Sequence, residues 1–262
     1  MELGVGLIRM GREWGHVPQD VPSERDAIQF LEHAFSVGIR FYDTAPSYGW
    51  SEERTGKFLR SLTAEDRRRI TVATKFGEHW NAARQQPYVD HSFDALKRSL
   101  NQSLERLGRI EVLELHKTTR AVLATDELAR AWDYARSLGI ERIGPCVSDL
   151  ESAEAAMENP GFSCMQLPLS KVNTKFEAIA DRAAARGMFM ITNRPFAMGA
   201  ILYGEAPVSR EDAFGYLLAR AFDGVVLTGT GCIVHLNENV AAFRKAADHL
   251  AGARSASEIG GR

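Results

Sequence analysis

A regular alternation between two kinds of segment limits the folds open to this chain of 262 residues. Short apolar segments predict strands at 3–8, 39–43, 70–74, 110–115, 140–147, 162–167, 188–192 and 224–227. Between them, apolar residues recur at helical spacing and predict helices at 23–38, 51–62, 92–107, 126–138, 150–158, 174–186, 209–222 and 234–250. Because strand and helix follow each other strictly, the sequence predicts a parallel sheet covered by helices.

Eight repeats of this kind favour a closed barrel over an open sheet. The repeats are roughly thirty residues long, and their total length is near the ~250 residues typical of a (β/α)8 barrel. A doubly wound open sheet is the alternative, but no GxGxxG pattern follows the first predicted strand. We therefore predict the α/β class and a single (β/α)8 TIM-barrel domain over residues 1–262. Polar stretches at 11–22 and 77–91 predict loops, and small polar residues from about 251 onward predict a frayed tail.

Charge and cysteine content argue against several classes of protein. The net charge of −2 gives no broad basic surface, so nucleic acid is not an expected partner. Cys146, Cys164 and Cys232 are scattered and form no CxxC pair, which argues against a disulfide framework or a zinc site. No apolar run approaches the ~20 residues of a membrane span, and the first residues lack a signal-peptide pattern. We expect a cytoplasmic protein without a metal or membrane contact, and its oligomeric state stays open.

Polar side chains follow three neighbouring predicted strands. Asp43 ends the second strand and Tyr48 lies in the loop after it, while Lys75 and His116 end the third and fourth strands. Each residue alone has a structural explanation, such as a turn cap, a half-buried aromatic or a solvated lysine. In a barrel, however, the carboxyl ends of all strands surround one mouth, so these four side chains are expected to converge.

Together these four side chains can polarise and protonate a carbonyl group. A free tyrosine has a pKa near ~10, and a neighbouring ammonium such as that of Lys75 lowers a phenol pKa. Asp43 would keep Lys75 charged and in place, and His116 would orient the carbonyl oxygen. Tyr48 would then act as the general acid while a hydride reaches the carbon. None of these groups carries hydride, so the chemistry requires a cofactor.

The sequence resembles the aldo-keto reductase family over nearly its whole length. The family's motif around its catalytic acid and tyrosine resembles IRFYDTAPSYGWSEERTG at 39–56 and assigns those roles to Asp43 and Tyr48. VATKFG at 72–77 and LELHK at 113–117 resemble the motifs that carry the family's lysine and histidine. The resemblance implies a barrel, NADPH as the usual hydride source, and the interconversion of a small-molecule carbonyl and an alcohol.

The resemblance also assigns residues to the cofactor. Ser148 and Gln166 match residues that hold the nicotinamide carboxamide, and Asp149 stands where the family usually has Asn. Asn193 and Arg194 belong to a segment similar to the one that runs along the pyrophosphate. The segment LTGTGCIVHLNENV at 227–240 resembles the phosphate loop and its helix, and its matching residues are Thr228, Gly229, Thr230 and, near the adenine, Asn239.

One departure from the family pattern concerns the choice between NADPH and NADH. Gly231 stands where the family often has Arg, Lys or Ser. The resemblance implies NADPH, but a basic side chain at this position often selects its 2′-phosphate, so the absence of one makes NADH, or weak binding of both, possible. At the substrate end, Trp50 and Trp80 are candidates for lining an apolar pocket, with packing over the barrel rim as the alternative.

We therefore expect an NAD(P)H-dependent reductase that converts an aldehyde or ketone to an alcohol, or catalyses the reverse. The first alternative is a catalytically weak, cofactor-binding regulatory subunit on the same fold, as in relatives that pair with channel proteins. The unusual Asp149 and Gly231 favour that alternative. A barrel lyase or isomerase without a nicotinamide cofactor is the second alternative.

Overall fold

The computed structural model describes residues 1–15, 20–203, 207–220 and 222–259, with side chains as far as Gly252. Within these residues, one sheet contains eight parallel strands: β1 (Glu2–Gly6), β2 (Phe41–Asp43), β3 (Thr71–Phe76), β4 (Val112–Leu115), β5 (Arg142–Pro145), β6 (Cys164–Pro168), β7 (Phe189–Asn193) and β8 (Gly224–Gly229). Their order in the sheet is β5-β4-β3-β2-β1-β8-β7-β6.

The two end strands of this order, β5 and β6, meet and bring the sheet close to a closed barrel. A parallel bridge joins Cys146 to Gln166, and the Val147 N–H donates to the Gln166 carbonyl at 2.8 Å. A Cβ atom on Gly144 would overlap the Cys164 carbonyl, so only glycine lets these strands approach so closely. The predicted (β/α)8 barrel is therefore confirmed.

A helix follows each barrel strand: α1 (Glu24–Ser36), α2 (Ser51–Ser61), α3 (Phe93–Leu107), α4 (Asp126–Ser137), α5 (Leu150–Glu158), α6 (Glu177–Ala185), α7 (Arg210–Leu218) and α8 (Ile233–Ile259). The side chains of Ser23, Thr125 and Ser209 cap the first turns of α1, α4 and α7 by accepting backbone N–H bonds. Shorter helical segments lie at Ile8–Met10, Pro46–Tyr48, Ala64–Arg68, Arg120–Leu123, Ala197–Gly199 and Ala200–Tyr203.

The prediction of a loop over residues 77–91 was wrong for the central part of this segment. Glu78–Asn81 and Gln86–Val89 form an antiparallel hairpin, called the rim hairpin below, that leaves the end of β3. Its strands lack a regular apolar alternation, and Pro87 lies within one of them, so the sequence carried no strand signal. Proline is tolerated because a two-stranded ribbon leaves one edge of each strand unpaired.

Several predicted boundaries also differ from the observed ones. Helix α8 extends nine residues beyond the predicted end at Leu250 and so includes most of the segment predicted as a frayed tail. Helix α6 begins at Glu177 instead of Thr174, and α7 ends at Leu218 instead of Phe222. Residues 16–19 of the predicted loop at 11–22, Ala221 and residues 260–262 of the predicted tail lie outside the described residues.

The barrel interior changes from apolar to polar along the strands. An apolar cluster inside the barrel includes Phe41, Ala73, Val112, Cys164 and Ile191. Because side chains alternate between the two faces of a strand, the residue two positions further along each strand also points inward. These residues are Asp43, Lys75, Glu114, Gln166 and Asn193. The fold therefore gathers polar groups at the carboxyl ends of five strands, above an apolar layer.

No helix in the described part of the chain has both the length and the apolar character needed to cross a membrane. The same residues contain no group of three or more His, Cys, Asp and Glu side chains arranged to hold a metal ion.

The close approach of β5 and β6 predicts that Gly144→Ala destabilises the fold. The added methyl group would push against the Cys164 backbone, which cannot rotate away, so we expect the free energy of unfolding to fall by about 1–3 kcal/mol. Urea denaturation measures this change. The matched control is Gly215→Ala in α7, where a Cβ meets no atom within 4 Å. This variant should be neutral or stabilised by up to about 1 kcal/mol, and equal effects at the two positions would contradict the prediction.

Candidate active site

A buried ammonium group lies at the centre of the polar layer. Lys75 is 0% exposed and belongs to β3. Its Nζ donates to Asp43 Oδ2 and to the Thr44 carbonyl at 3.1 Å, and lies 3.4 Å from Glu114 Oε2. These contacts, together with the nearby Tyr48, hold the pKa of Lys75 well above its usual value, although burial acts in the opposite direction. The predicted Asp43–Lys75 pair is present, and Lys75 is charged.

Glu114 was missed by the sequence analysis. It lies on β4, two residues before His116, and its side chain is 0% exposed. Its Oε2 accepts from Gln166 Nε2 at 3.2 Å, while Oε1 is buried without a hydrogen-bond partner. Burial raises the pKa of Glu114 to about 8, and Lys75 opposes this rise. The inward alternation from Val112 along β4 is the signal that identifies this residue.

Gln166 connects the carboxylates to the predicted cofactor residues. Its Nε2 also donates to Asp43 Oδ2 at 3.1 Å. Its Oε1 accepts from Asn193 Nδ2 and from the Cys146 Sγ, each at 3.1 Å. Both hydrogen-bonding ends of the Gln166 amide are therefore occupied within the barrel. The structure brings two predicted cofactor residues, Gln166 and Asn193, into contact with each other and with the predicted catalytic Asp43.

Tyr48 lies in the short helical segment after β2, with its ring over the buried lysine. The Lys75 Nζ is 5.4 Å from the ring centroid, and the Tyr48 hydroxyl makes no hydrogen bond within the described residues. Lys75 lowers the pKa of Tyr48 as the sequence analysis expected, but burial is the larger effect and raises that pKa above its usual value. Tyr48 is therefore a protonated phenol with its hydroxyl available to donate.

The imidazole of His116 faces the edge of the Tyr48 ring. The two ring centroids are 5.9 Å apart, and the planes are inclined at 80°. His116 Nδ1 lies 3.3 Å from Ser47 Oγ and 3.1 Å from Glu78 Oε2, although only the serine contact has hydrogen-bond geometry. Burial, helped by nearby positive charges, lowers the pKa of His116 well below its usual value. His116 is thus neutral and close to the Tyr48 ring.

The turn that carries Tyr48 is held by a close backbone contact. A Cβ on Gly11 would overlap the Tyr48 carbonyl, and a Cβ on Gly49 would overlap the Gly11 carbonyl. The Trp50 N–H donates to the Gly11 carbonyl at 3.3 Å. Gly49 also has a φ of +60°, which favours glycine. The loops after β1 and β2 are therefore fixed against each other next to Tyr48.

The other residues that were predicted to contact the carboxamide or the pyrophosphate of the cofactor lie outside the buried polar layer. Asp149 caps α5, because its Oδ1 accepts from the Ser152 N–H at 2.8 Å and its Oδ2 accepts from the Ser152 hydroxyl at 2.9 Å. Ser148 is exposed, and its carbonyl accepts from Lys175 Nζ at 3.2 Å. Arg194 is exposed with a φ of +57°. The side chain of Asp149 therefore has a structural role at the start of a helix.

The predicted phosphate loop connects β8 to α8. Thr228 is buried in the strand, and the Thr230 Oγ1 accepts from the Cys232 N–H at 3.1 Å just before the helix begins. Gly229 leaves the backbone uncovered there, since no atom lies within 4 Å of a Cβ built on it, whereas the side chains of Met10 and Arg9 lie within 4 Å of a Cβ built on Gly231. Asn239 is buried on α8 and accepts from Arg210 Nε at 3.1 Å.

These residues fit a nicotinamide dinucleotide. Asn193 Oδ1 is buried without a hydrogen-bond partner among the described residues, and it lies beside the Gln166 amide, as a carboxamide requires. The uncovered backbone at Gly229 lies shortly before the N-terminus of a long helix, where an anion is stabilised. Both ends of the predicted cofactor site therefore have matching chemistry.

The two predicted substrate residues line a cavity beside the Tyr48 turn. Trp50, which is 49% exposed, and Trp80 border a cavity of about 200 Å³ between the rim hairpin, α2 and α3. Pro46 and Gly49 of the turn line the same cavity. Of these two tryptophans, only Trp80 shares a neighbour with the Tyr48 ring. This neighbour is the Arg12 guanidinium, whose carbon lies 5.9 Å from the centroids of both rings.

Comparison with known proteins agrees with this geometry. The model of the Aldo/keto reductase family matches residues 2–214. L-galactose dehydrogenase of Arabidopsis thaliana is 35% identical over 118 residues, which cover 44% of this chain and 33% of that protein. D-threo-aldose 1-dehydrogenase of a Pseudomonas species is 34% identical over 174 residues, which cover 56% of this chain and 50% of that protein. The chain thus spans half or less of these curated relatives.

A solved structure with the same fold is an aldo-keto reductase from Bacillus halodurans in its holo form. It superposes with a TM-score of 0.77 at 21% identity, over 95% of this chain and 91% of that one. The family model covers most of the chain. The chain therefore belongs to the aldo/keto reductase family.

Proposed function

We propose that the protein is an NAD(P)H-dependent oxidoreductase that reduces an aldehyde or ketone to an alcohol, or catalyses the reverse. One observation carries this proposal: a fully buried lysine, bonded to Asp43, lies under a tyrosine whose hydroxyl makes no hydrogen bond within the described chain. The two curated relatives, named as dehydrogenases of L-galactose and of D-threo-aldoses, support chemistry between a hydroxyl and a carbonyl.

Tyr48 donates its proton to the carbonyl oxygen in this proposal. Proton loss leaves a phenolate, which is costly in a buried site, and the Lys75 ammonium 5.4 Å from the ring centroid stabilises it. His116, neutral and edge-on to the Tyr48 ring, orients the carbonyl oxygen without adding a second charge. Asp43 holds Lys75 in position and compensates its charge.

The cofactor, when bound, supplies the hydride that reaches the carbonyl carbon. Asn193, whose buried Oδ1 has no hydrogen-bond partner among the described residues, would hold its carboxamide, and Gln166 would keep the Asn193 side chain in place. Arg194 and the backbone at Gly229 would hold its phosphates. We propose NADPH in preference to NADH, because the basic side chain of Arg9 lies beside Gly231. Its Cβ and Nε are each 3.7 Å from the position of a Cβ on Gly231. A basic side chain is thus present at this place, although it comes from the loop after β1.

The proposal predicts that Tyr48→Phe abolishes carbonyl reduction. Without the hydroxyl the carbonyl oxygen loses its proton donor, so turnover should fall by about 10²–10⁴-fold. NADPH oxidation followed at 340 nm with a panel of aldehydes and ketones measures this loss. Tyr134→Phe is the matched control, since Tyr134 lies on α4 and bonds Asn101. A Tyr48→Phe variant with wild-type turnover would exclude the assigned role.

NADPH binding is predicted to be tight, to exceed NADH binding, and to survive the Tyr48→Phe change. Titration of each nucleotide against the fluorescence of the four tryptophans measures this. Arg9→Gln should reduce the ratio of the two affinities, because it removes the cation beside Gly231. Tight binding without turnover on any carbonyl would favour the regulatory subunit, and no binding of either nucleotide would favour the lyase or isomerase.

The raised pKa of Glu114 predicts a pH-dependent contribution to stability. The folded protein keeps a proton on Glu114 up to about pH 8, whereas the unfolded chain releases it near its ordinary pKa of 4.5. The unfolding free energy of the wild type relative to Glu114→Gln should therefore fall as pH rises from about 5 to 8, and level off above. Urea denaturation of both proteins across this range measures the difference. A difference that grew with pH would mean that Glu114 is ionised in the folded protein.

A further inference from the structure

A cation that has no counter-ion among the described residues lies beside Tyr48. Arg12 follows the short helical segment after β1, and its guanidinium carbon is 5.5 Å from the centroid of the Trp14 ring. The same carbon is 5.9 Å from the ring centroids of Tyr48 and of Trp80. Its charge also contributes to the lowered pKa of His116. Arg12 therefore faces the place where a carbonyl would meet Tyr48 and His116.

The other cations close to this place have acidic partners. Lys75 pairs with Asp43, and Lys117 Nζ lies 3.2 Å from Glu78 Oε1. The Arg12 guanidinium forms no ion pair and no hydrogen bond with any residue that the structure describes, and its Nε is buried without a partner. A buried donor without an acceptor costs about 1–3 kcal/mol, so an incoming acceptor is favoured. A guanidinium matches the two oxygens of a carboxylate.

The position of Arg12 is fixed relative to Tyr48. The preceding residue, Gly11, packs its backbone against the Tyr48 carbonyl. The Arg54 guanidinium donates to the Met10 carbonyl and holds the same loop from α2. Because the two loops are joined in this way, the backbone that carries Arg12 is held beside the Tyr48 turn before any ligand arrives. Preorganisation of this kind lowers the cost of binding.

We propose that Arg12 binds a carboxylate of the substrate, so that the preferred substrates are short oxo-acids with the carboxylate near the carbonyl. This inference rests on the proposed reductase function and specifies its substrate class. The short distance between Arg12 and Tyr48 excludes a long spacer between the two groups. One guanidinium supplies one positive charge, which matches a carboxylate better than a doubly charged phosphate. The rings of Trp14 and Trp80 lie 5.5 and 5.9 Å from the guanidinium carbon and replace part of the water around it, which strengthens the ion pair.

Two aldehydes with four carbons each test the inference by kinetics. Succinic semialdehyde carries a carboxylate, and butanal does not. For Arg12→Gln, the KM for succinic semialdehyde should rise about ten- to a hundredfold, as expected for a charge-assisted pair, while the values for butanal stay near those of the wild type. Arg12→Lys should retain part of the preference. Arg84→Gln, which removes an exposed charge from the turn of the rim hairpin, is the matched control.

Equal changes for the two aldehydes, or no preference for the semialdehyde in the wild type, would overturn the inference. A binding measurement makes the test independent of turnover. Succinate is titrated by calorimetry into wild-type protein and Arg12→Gln, each with and without NADP⁺. Binding that weakens at least tenfold in the variant supports the inference, and absent or equal binding overturns it. If the wild type binds succinate through Arg12 but reduces neither aldehyde, the reductase function fails while the anion site stands.

Discussion

The buried charge of Lys75 is the constraint on which the active end of the barrel depends. An ammonium group with no exposure must be compensated on every side, and removing one partner of such a pair typically costs about 3–5 kcal/mol. The compensating charge comes from Asp43 on β2, whose carboxylate also accepts from Gln166 on β6, while the protonated Glu114 on β4 contacts the ammonium without adding a charge. A shift of one residue in any of these strands would turn its polar group out of the barrel, so the network also specifies the register.

The protonation states follow from the same burial. One ammonium can compensate one carboxylate, and the second carboxylate, Glu114, keeps its proton because burial raises its pKa. Neutral His116 and protonated Tyr48 complete a site whose net charge is close to zero before ligands bind. The unpaired cation at the edge, Arg12, is then the main local charge that an incoming molecule meets.

The sequence predicted the barrel because strand and helix alternate with clear periods, and it predicted Asp43, Lys75 and His116 because each ends a strand. Glu114 lies in the middle of an apolar run and was counted as part of the strand, although the two-residue alternation places it inside the barrel. Arg12 was missed because its importance comes from rings distant in the sequence. The resemblance assigned Asp149 to the cofactor, which stays a prediction, and the structure adds that its side chain caps α5. The local periodicity of the sequence is enough to predict the fold, but the contacts in the site depend on loops that are distant in the sequence and meet only in the folded protein.

The strand order has a consequence for how the chain folds during synthesis. β1 pairs on one side with β2 and on the other with β8, and the second ladder joins Glu2 to Val225. At about 5–20 residues per second, a ribosome needs roughly ten to fifty seconds to make the chain between these partners. One edge of β1 stays unpaired for that time, and an unpaired edge is a template for pairing with other chains. The nascent protein is therefore most exposed to aggregation just before its last strand emerges, and chaperone binding at that stage would protect it.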